Sequence, residues 1–239
     1  MVPAAPPETV PKMTLLGTVL SPPPLPSRLL VRDRLLTQLD EAQTYQLTLL
    51  SAAAGWGKST LLSAWASHTS HPVAWLALDQ RDNDLVRFWV SVIAALRHGV
   101  SELSQVGERA LSMLRSPHFP GLSTILTSLL HDLSDYRRPL FLLLDDYHRI
   151  SDPAIHDSLC FALEHLPAHL HLVLSSRVDP PFPLSRLRVA GQLLEIRHPD
   201  LSFQPEEAIR FLCQTMDLSL ASEEVTTLVE RTGGWIAGL

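Results

Sequence analysis

The sequence predicts an α/β domain, a parallel five-stranded sheet flanked by helices, followed by the start of a helical subdomain. Three observations carry that prediction. Five short apolar runs, at 46–51, 73–78, 140–145, 170–176 and 193–197, are separated by stretches long enough to form helices. The runs are apolar on both faces, the pattern of strands covered from both sides in a parallel sheet. Beyond Gln204 amphipathic segments continue without another strand-like run.

The elements follow in order. MVPAAPPETVPKM is proline-rich and lacks a basic segment followed by an apolar one, so residues 1–13 are expected to be a disordered tail and not a secretory signal. The α/β domain is expected over 14–200. Its clearest helix runs from Asp84 to Arg97, where Leu85, Phe88, Trp89, Val92, Ile93 and Leu96 form one apolar face and Asp82 or Asn83 supplies the cap. Residues 101–135 read as helical up to the polar SDYRRP. The helical subdomain is assigned to 201–239. FQPEEAIRFLCQTM places proline at the first helical position and acidic residues in the first turn, and ASEEVTTLVERT forms a second helix. GGWIAGL stops on an apolar segment without a closing cap, so the chain is expected to be cut from something longer.

Composition narrows the function classes. The longest apolar run, LFLLL, is strand-sized and far short of the roughly 18 to 20 residues that cross a bilayer, so a cytoplasmic protein without membrane contact is expected. A net charge of −6 argues against direct DNA binding by this segment. Cys160 and Cys213 belong to no metal or redox motif, and the eleven histidines show no zinc-type spacing.

The chemistry is concentrated in SAAAGWGKST, residues 51–60, between the first run and LLSAWA. Gly57, Lys58 and Ser59 fit the P-loop pattern G-x-x-x-x-G-K-[ST], with Ala52 at the first glycine position. Backbone N–H groups around Gly55 and Gly57 can wrap a phosphate at the positive end of the next helix. Ala54, Gly55, Trp56, Gly57, Lys58, Ser59 and Thr60 are therefore the candidate ATP/ADP-binding loop. Within it Lys58 reaches the β and γ phosphates, and Ser59 offers its hydroxyl to Mg2+. LFLLLDDYH ends a strand on two carboxylates at the same sheet edge. Asp145 is the candidate magnesium carboxylate, and Asp146 would orient a water. Arg177 follows the strand expected beside that of Asp145 and would report the γ-phosphate. Arg32, with Arg34, lies in a segment that would close over base and sugar. Taken singly, a turn with an incidental lysine and a solvated loop after a strand are the plain alternatives. Together, the two motifs specify a P-loop NTPase.

AAAGWGKST, VAWLALDQRDNDLVRFW, LLLDDYH, LSSRVDPPFPLSRLR and RTGGWIAGL, in this order, resemble the N-terminal nucleotide-binding module of the MalT-like, LuxR-type ATP-dependent regulators, within the STAND class of signal-transduction ATPases. The resemblance runs from about Thr14 to Leu239. It implies tight ADP binding at rest, exchange for ATP on induction, ATP-driven self-association and slow hydrolysis as a reset. It also implies that alanine at position 52 is compatible with a working loop, while Ala53 departs from the proline often found there. A phosphotransferase using the arginine-bearing loop at 179–188, or a non-catalytic remnant, are the competing readings.

Overall fold

The computed structural model describes residues 17–239, so the expected tail over 1–13 lies outside the described residues. Five strands, β1 Leu47–Ser51, β2 Val73–Ala77, β3 Leu140–Asp145, β4 Leu170–Ser176 and β5 Leu193–Arg197, form one sheet in the order β2-β3-β4-β1-β5. Every pairing is parallel. The helices are α1 Asp33–Asp40, α2 Lys58–His68, α3 Leu85–Gly99, α4 Glu108–Leu114, α5 Leu122–Ser134, α6 Pro153–Glu164, α7 Leu184–Val189, α8 His198–Leu201, α9 Pro205–Ile209 and α10 Ser222–Thr232.

Each central strand is buried along its whole length because its alternate side chains feed two different cores. Leu49, Leu142, Leu144, Leu172 and Leu174 face one cluster with α3, α5 and α6. Leu50, Phe141, Leu143, Val173 and Ile196 face the other, with α1, α2 and Trp65. A third, small cluster of Phe203, Ala208, Leu212 and Val225 belongs to α9 and α10.

Two local expectations change. Asp84, not Asp82 or Asn83, caps α3, accepting from the Arg87 N–H. Asp82 is buried instead, taking bonds from Ser91 Oγ and Arg87, and Asn83 Oδ1 accepts from the backbone of Ser151 and Asp152. Both side chains were drawn into tertiary contacts that the helical periodicity does not encode. The stretch 101–135 is two helices. Gly107, at φ 68°, starts α4, and Pro117 and Pro120 interrupt the chain before α5.

α3 ends against β2 with no room for a side chain. A Cβ at Gly99 would stand 2.6 Å from the Val73 carbonyl oxygen and 2.7 Å from Ala74 Cα, both backbone atoms. Gly99→Ala should therefore cost about 1–3 kcal/mol and lower the thermal midpoint by several degrees. Circular dichroism melting tests this; an unchanged midpoint would mean that α3 shifts away from β2 without loss.

Candidate functional site

The parallel registers align the C-terminal ends of the strands: Ser51 with Ser176 and Arg197, and Asp145 with Ala77. The loop leaving β1 and the carboxylates ending β3 thus open at one edge, separated by β4, whose exit carries Arg177.

In the loop, Gly55 and Gly57 have φ of 80° and 74°, the left-handed region that side chains disfavour. Ala52 and Ala53 are absent from that region. The loop path therefore needs no glycine at position 52, which is the physical reason alanine fits there. Gly57 serves as the cap of α2, so the helix starts at Lys58 with its free N–H groups around the loop.

Lys58 is 7% exposed and donates from Nζ to the carbonyls of Ala52, at 2.6 Å, and Ala53, at 2.9 Å. Burial lowers its pKa most, the Asp146 carboxylate opposes this, Arg177 adds to it, and Asp145 opposes it more weakly. The exposed Arg177 and the partly exposed Asp146 are thus both within electrostatic reach of the amine. Ser59 Oγ donates to Asp145 Oδ1 at 3.1 Å, and the Asp146 N–H reaches the same oxygen at 3.0 Å. Asp145 is 5% exposed, and both of these bonds fall on one of its two oxygens. A hydroxyl and a carboxylate in contact are hard oxygen donors of the kind magnesium takes alongside phosphate oxygens. The residues present therefore fit that ion.

Beside the loop lies an apolar cavity of about 340 Å³, lined by Leu29, Leu30, Trp56, Thr60, Phe203, Phe211 and Ile236 among others. Its walls come from three parts of the chain: the segment before α1, the loop with α2, and the helical subdomain. Trp56 is 8% exposed and packs edge-on to His198 at 4.3 Å. Of these wall residues, sequence reasoning assigned Trp56 and Thr60 to the nucleotide loop and left Leu29, Leu30, Phe203, Phe211 and Ile236 unassigned, because no local pattern links them to it.

Arg32 also lines the cavity, but its guanidinium is committed elsewhere. It bonds both oxygens of Glu207, at 2.8 and 3.2 Å, and the carbonyls of Leu201 and Ser202, and it stacks over Phe203. Arg34 joins it on Glu207. The pair clamps the N-terminal segment to the helical subdomain. In that subdomain Gly233 and Gly234 turn the chain so that Trp235 Nε1 donates to the Ala54 carbonyl and the Ala237 N–H donates to that of Gly55. The closing GGWIAGL is therefore seated on the phosphate loop. Gly233, left-handed at the C-terminus of α10, ends that helix and starts the turn.

Arg186 and Arg188 sit on α7 and pair with Glu164 and Glu195. At the edge itself, Arg197 bridges Asp179 and Glu195, and Ser51 Oγ donates to Asp179, fixing the segment that begins with Arg177.

No family model matches the chain. Among characterised proteins, it is 35% identical over 225 residues to the HTH-type transcriptional regulator MalT of Klebsiella pneumoniae, and 36% identical over 225 residues to that of Yersinia pestis. These alignments take in 94% of the chain. The chain is thus similar, over nearly its whole length, to one part of the MalT regulators. It spans 24% of the length of those regulators. Among solved structures, the STAND protein with a tetratricopeptide repeat sensor from Pyrococcus horikoshii superposes with a TM-score of 0.57 at 15% identity, over 89% of this chain and 29% of that one. The Walker-type ATPase of Pyrococcus abyssi gives 0.52 at 16% identity, over 87% and 65%. The chain shares their fold. Among its described residues no helix is long and apolar enough to cross a membrane.

Proposed function

We propose that this chain is an ATP/ADP-binding regulatory switch with slow ATP hydrolysis and nucleotide-controlled self-association. The observation that carries the reading is the meeting of Lys58, Ser59, Asp145 and Asp146 at one sheet edge beside an apolar cavity built partly by the helical subdomain. Ligand pockets of this size are lined mainly by apolar and aromatic side chains, a lining that suits the flat faces of a purine base.

In this reading Lys58 leaves its two loop carbonyls to meet the β and γ phosphates, and the N–H groups at the start of α2 take the remaining phosphate oxygens. Ser59 and Asp145 would hold magnesium, which neutralises phosphate charge when bound. Asp146 orients the attacking water, and Arg177 contacts the γ-phosphate. The base rests among Trp56, Phe203, Phe211 and Ile236, and Arg32 supports that wall through Glu207. The helical subdomain touches both cavity and phosphate loop, so its seating depends on what fills them. DNA contact by the longer regulators is assigned to parts outside this chain. The phosphotransferase alternative has less support, since Arg186 and Arg188 stand on α7 beside acids.

Calorimetric titration with ADP and with ATP, both with magnesium, tests the reading. Submicromolar binding, ADP at least as tight as ATP, and turnover well below the ~1 to 100 s⁻¹ of kinases are expected. Absence of heat for both nucleotides in a folded sample would sink it.

A further inference from the structure

Nδ1 of His148 is buried and has no hydrogen-bond partner among the described residues. Buried polar atoms nearly always find one, so an orphan at the edge of a reaction site calls for a physical reason. Asp146 Oδ1 stands 3.8 Å away, about 1 Å beyond a charge-assisted bond. The backbone creates this approach. Asp146 takes φ 58°, and the turn Tyr147–Arg149 folds back so that His148 flanks one carboxylate oxygen while Arg149 Nε lies 4.0 Å from the other. The turn is anchored from below, because Tyr147 is 1% exposed, shares a 2.7 Å bond with His156 Nδ1 and packs against Phe182.

The protonation state suits a donor role. Burial lowers the His148 pKa, the Asp146 carboxylate opposes this, and Arg177, Arg149 and Lys58 lower it further, so the ring is neutral at pH 7. A carboxylate only accepts hydrogen bonds, so the tautomer compatible with this neighbour carries its proton on Nδ1. The same carboxylate is the charge that most favours protonation of Lys58, so it lies within electrostatic reach of that amine.

We propose that His148 is a positioning residue whose Nδ1–H bonds Asp146 Oδ1 and holds that carboxylate in place to orient the attacking water. The inference rests on the hydrolysis reading above and adds a residue to it. Long-range ¹H–¹⁵N correlation of the imidazole in the 239-residue chain tests the pair without requiring turnover. A protonated Nδ1 near pH 7.5 whose resonance shifts in Asp146→Asn is expected. A bare Nδ1, or a ring signal indifferent to Asp146→Asn, would overturn the pair. In single-turnover assays His148→Ala should slow ATP hydrolysis roughly 10-fold while leaving the ADP Kd within about twofold. His148→Asn, which returns an N–H near the Nδ1 position, should recover most of the rate. His148→Ala turnover at the wild-type rate would overturn the positioning role. A wild-type chain with no turnover would instead defeat the hydrolysis reading, and the ring tautomer would still decide whether the pair exists.

Discussion

Lys58→Ala is expected to weaken ADP and ATP binding by roughly 30-fold or more, since losing one buried charge-assisted contact to phosphate commonly costs about 2–5 kcal/mol. Lys58 is the buried cation of the loop, and its amine already sits among the loop carbonyls of Ala52 and Ala53. Truncation leaves the buried Ala52 carbonyl and the part-buried Ala53 carbonyl without this donor, at a cost of about 1–3 kcal/mol, so the fold should survive with a melting temperature lowered by a few degrees. Calorimetry of both nucleotides alongside a melt separates the outcomes. Wild-type affinity in the variant would remove Lys58 from the phosphate site. Lost affinity together with a collapsed melt would mean that the lysine acts on the fold, and the less disruptive Lys58→Met would then decide between the two.

Glu207→Gln should be the most destabilising single change in the clamp between the N-terminal segment and the helical subdomain. The Glu207 side chain is 12% exposed and that of Arg32 is 9% exposed, so neutralising the acid leaves a buried guanidinium without its counter-charge. Breaking such a pair costs about 3–5 kcal/mol. Burial raises the Glu207 pKa, but the bonds from Arg32, Arg34 and the Gln204 N–H outweigh it and hold the carboxyl below its usual range. The sign for stability follows. The contribution is complete above the unfolded carboxylate pKa of about 4.3 and is lost as pH falls through the lower, folded value. Melting curves from pH 7 down to pH 3 should therefore show an acid limb that is shallower in Glu207→Gln, the remainder coming from carboxylates such as Asp179 and Glu195 that arginines also hold low. The same variant should loosen Trp235 from the phosphate loop, read as a change in tryptophan emission. A variant with the wild-type midpoint and the same acid limb would show that the clamp contributes nothing.

The positions of the strands were legible because each is a run of apolar residues wide enough to cover both faces of a sheet, and β1 to β5 fall on the five expected runs. The phosphate loop was legible because its chemistry is contiguous. Gly57, Lys58 and Ser59 must be neighbours to turn the chain, reach the phosphates and open a helix. LFLLLDD carried its own signal, a buried strand ending on two charges, and the parallel order brought it to the edge where the loop opens. Arg32 shows the limit. Its charge and place before β1 suggested contact with a nucleotide, yet Glu207, 175 residues away, holds the guanidinium in the wall of the cavity. Arg186 and Arg188 were likewise taken by acids that the proline-rich loop does not name.

By itself, the sequence determined the parallel α/β core, the phosphate loop and the Asp145-Asp146 strand end, because each depends on hydrophobic pattern or on groups adjacent in the chain. Only the tertiary structure decided which strands stand side by side and what the arginines pair with. It alone placed Trp235 on the loop, assembled the cavity from residues 29, 60, 203 and 236, and left His148 facing Asp146. Most of those features depend on distances between side chains far apart in the chain, which only packing sets; the approach of His148 to Asp146 depends instead on the turn Tyr147–Arg149, entered through a left-handed Asp146.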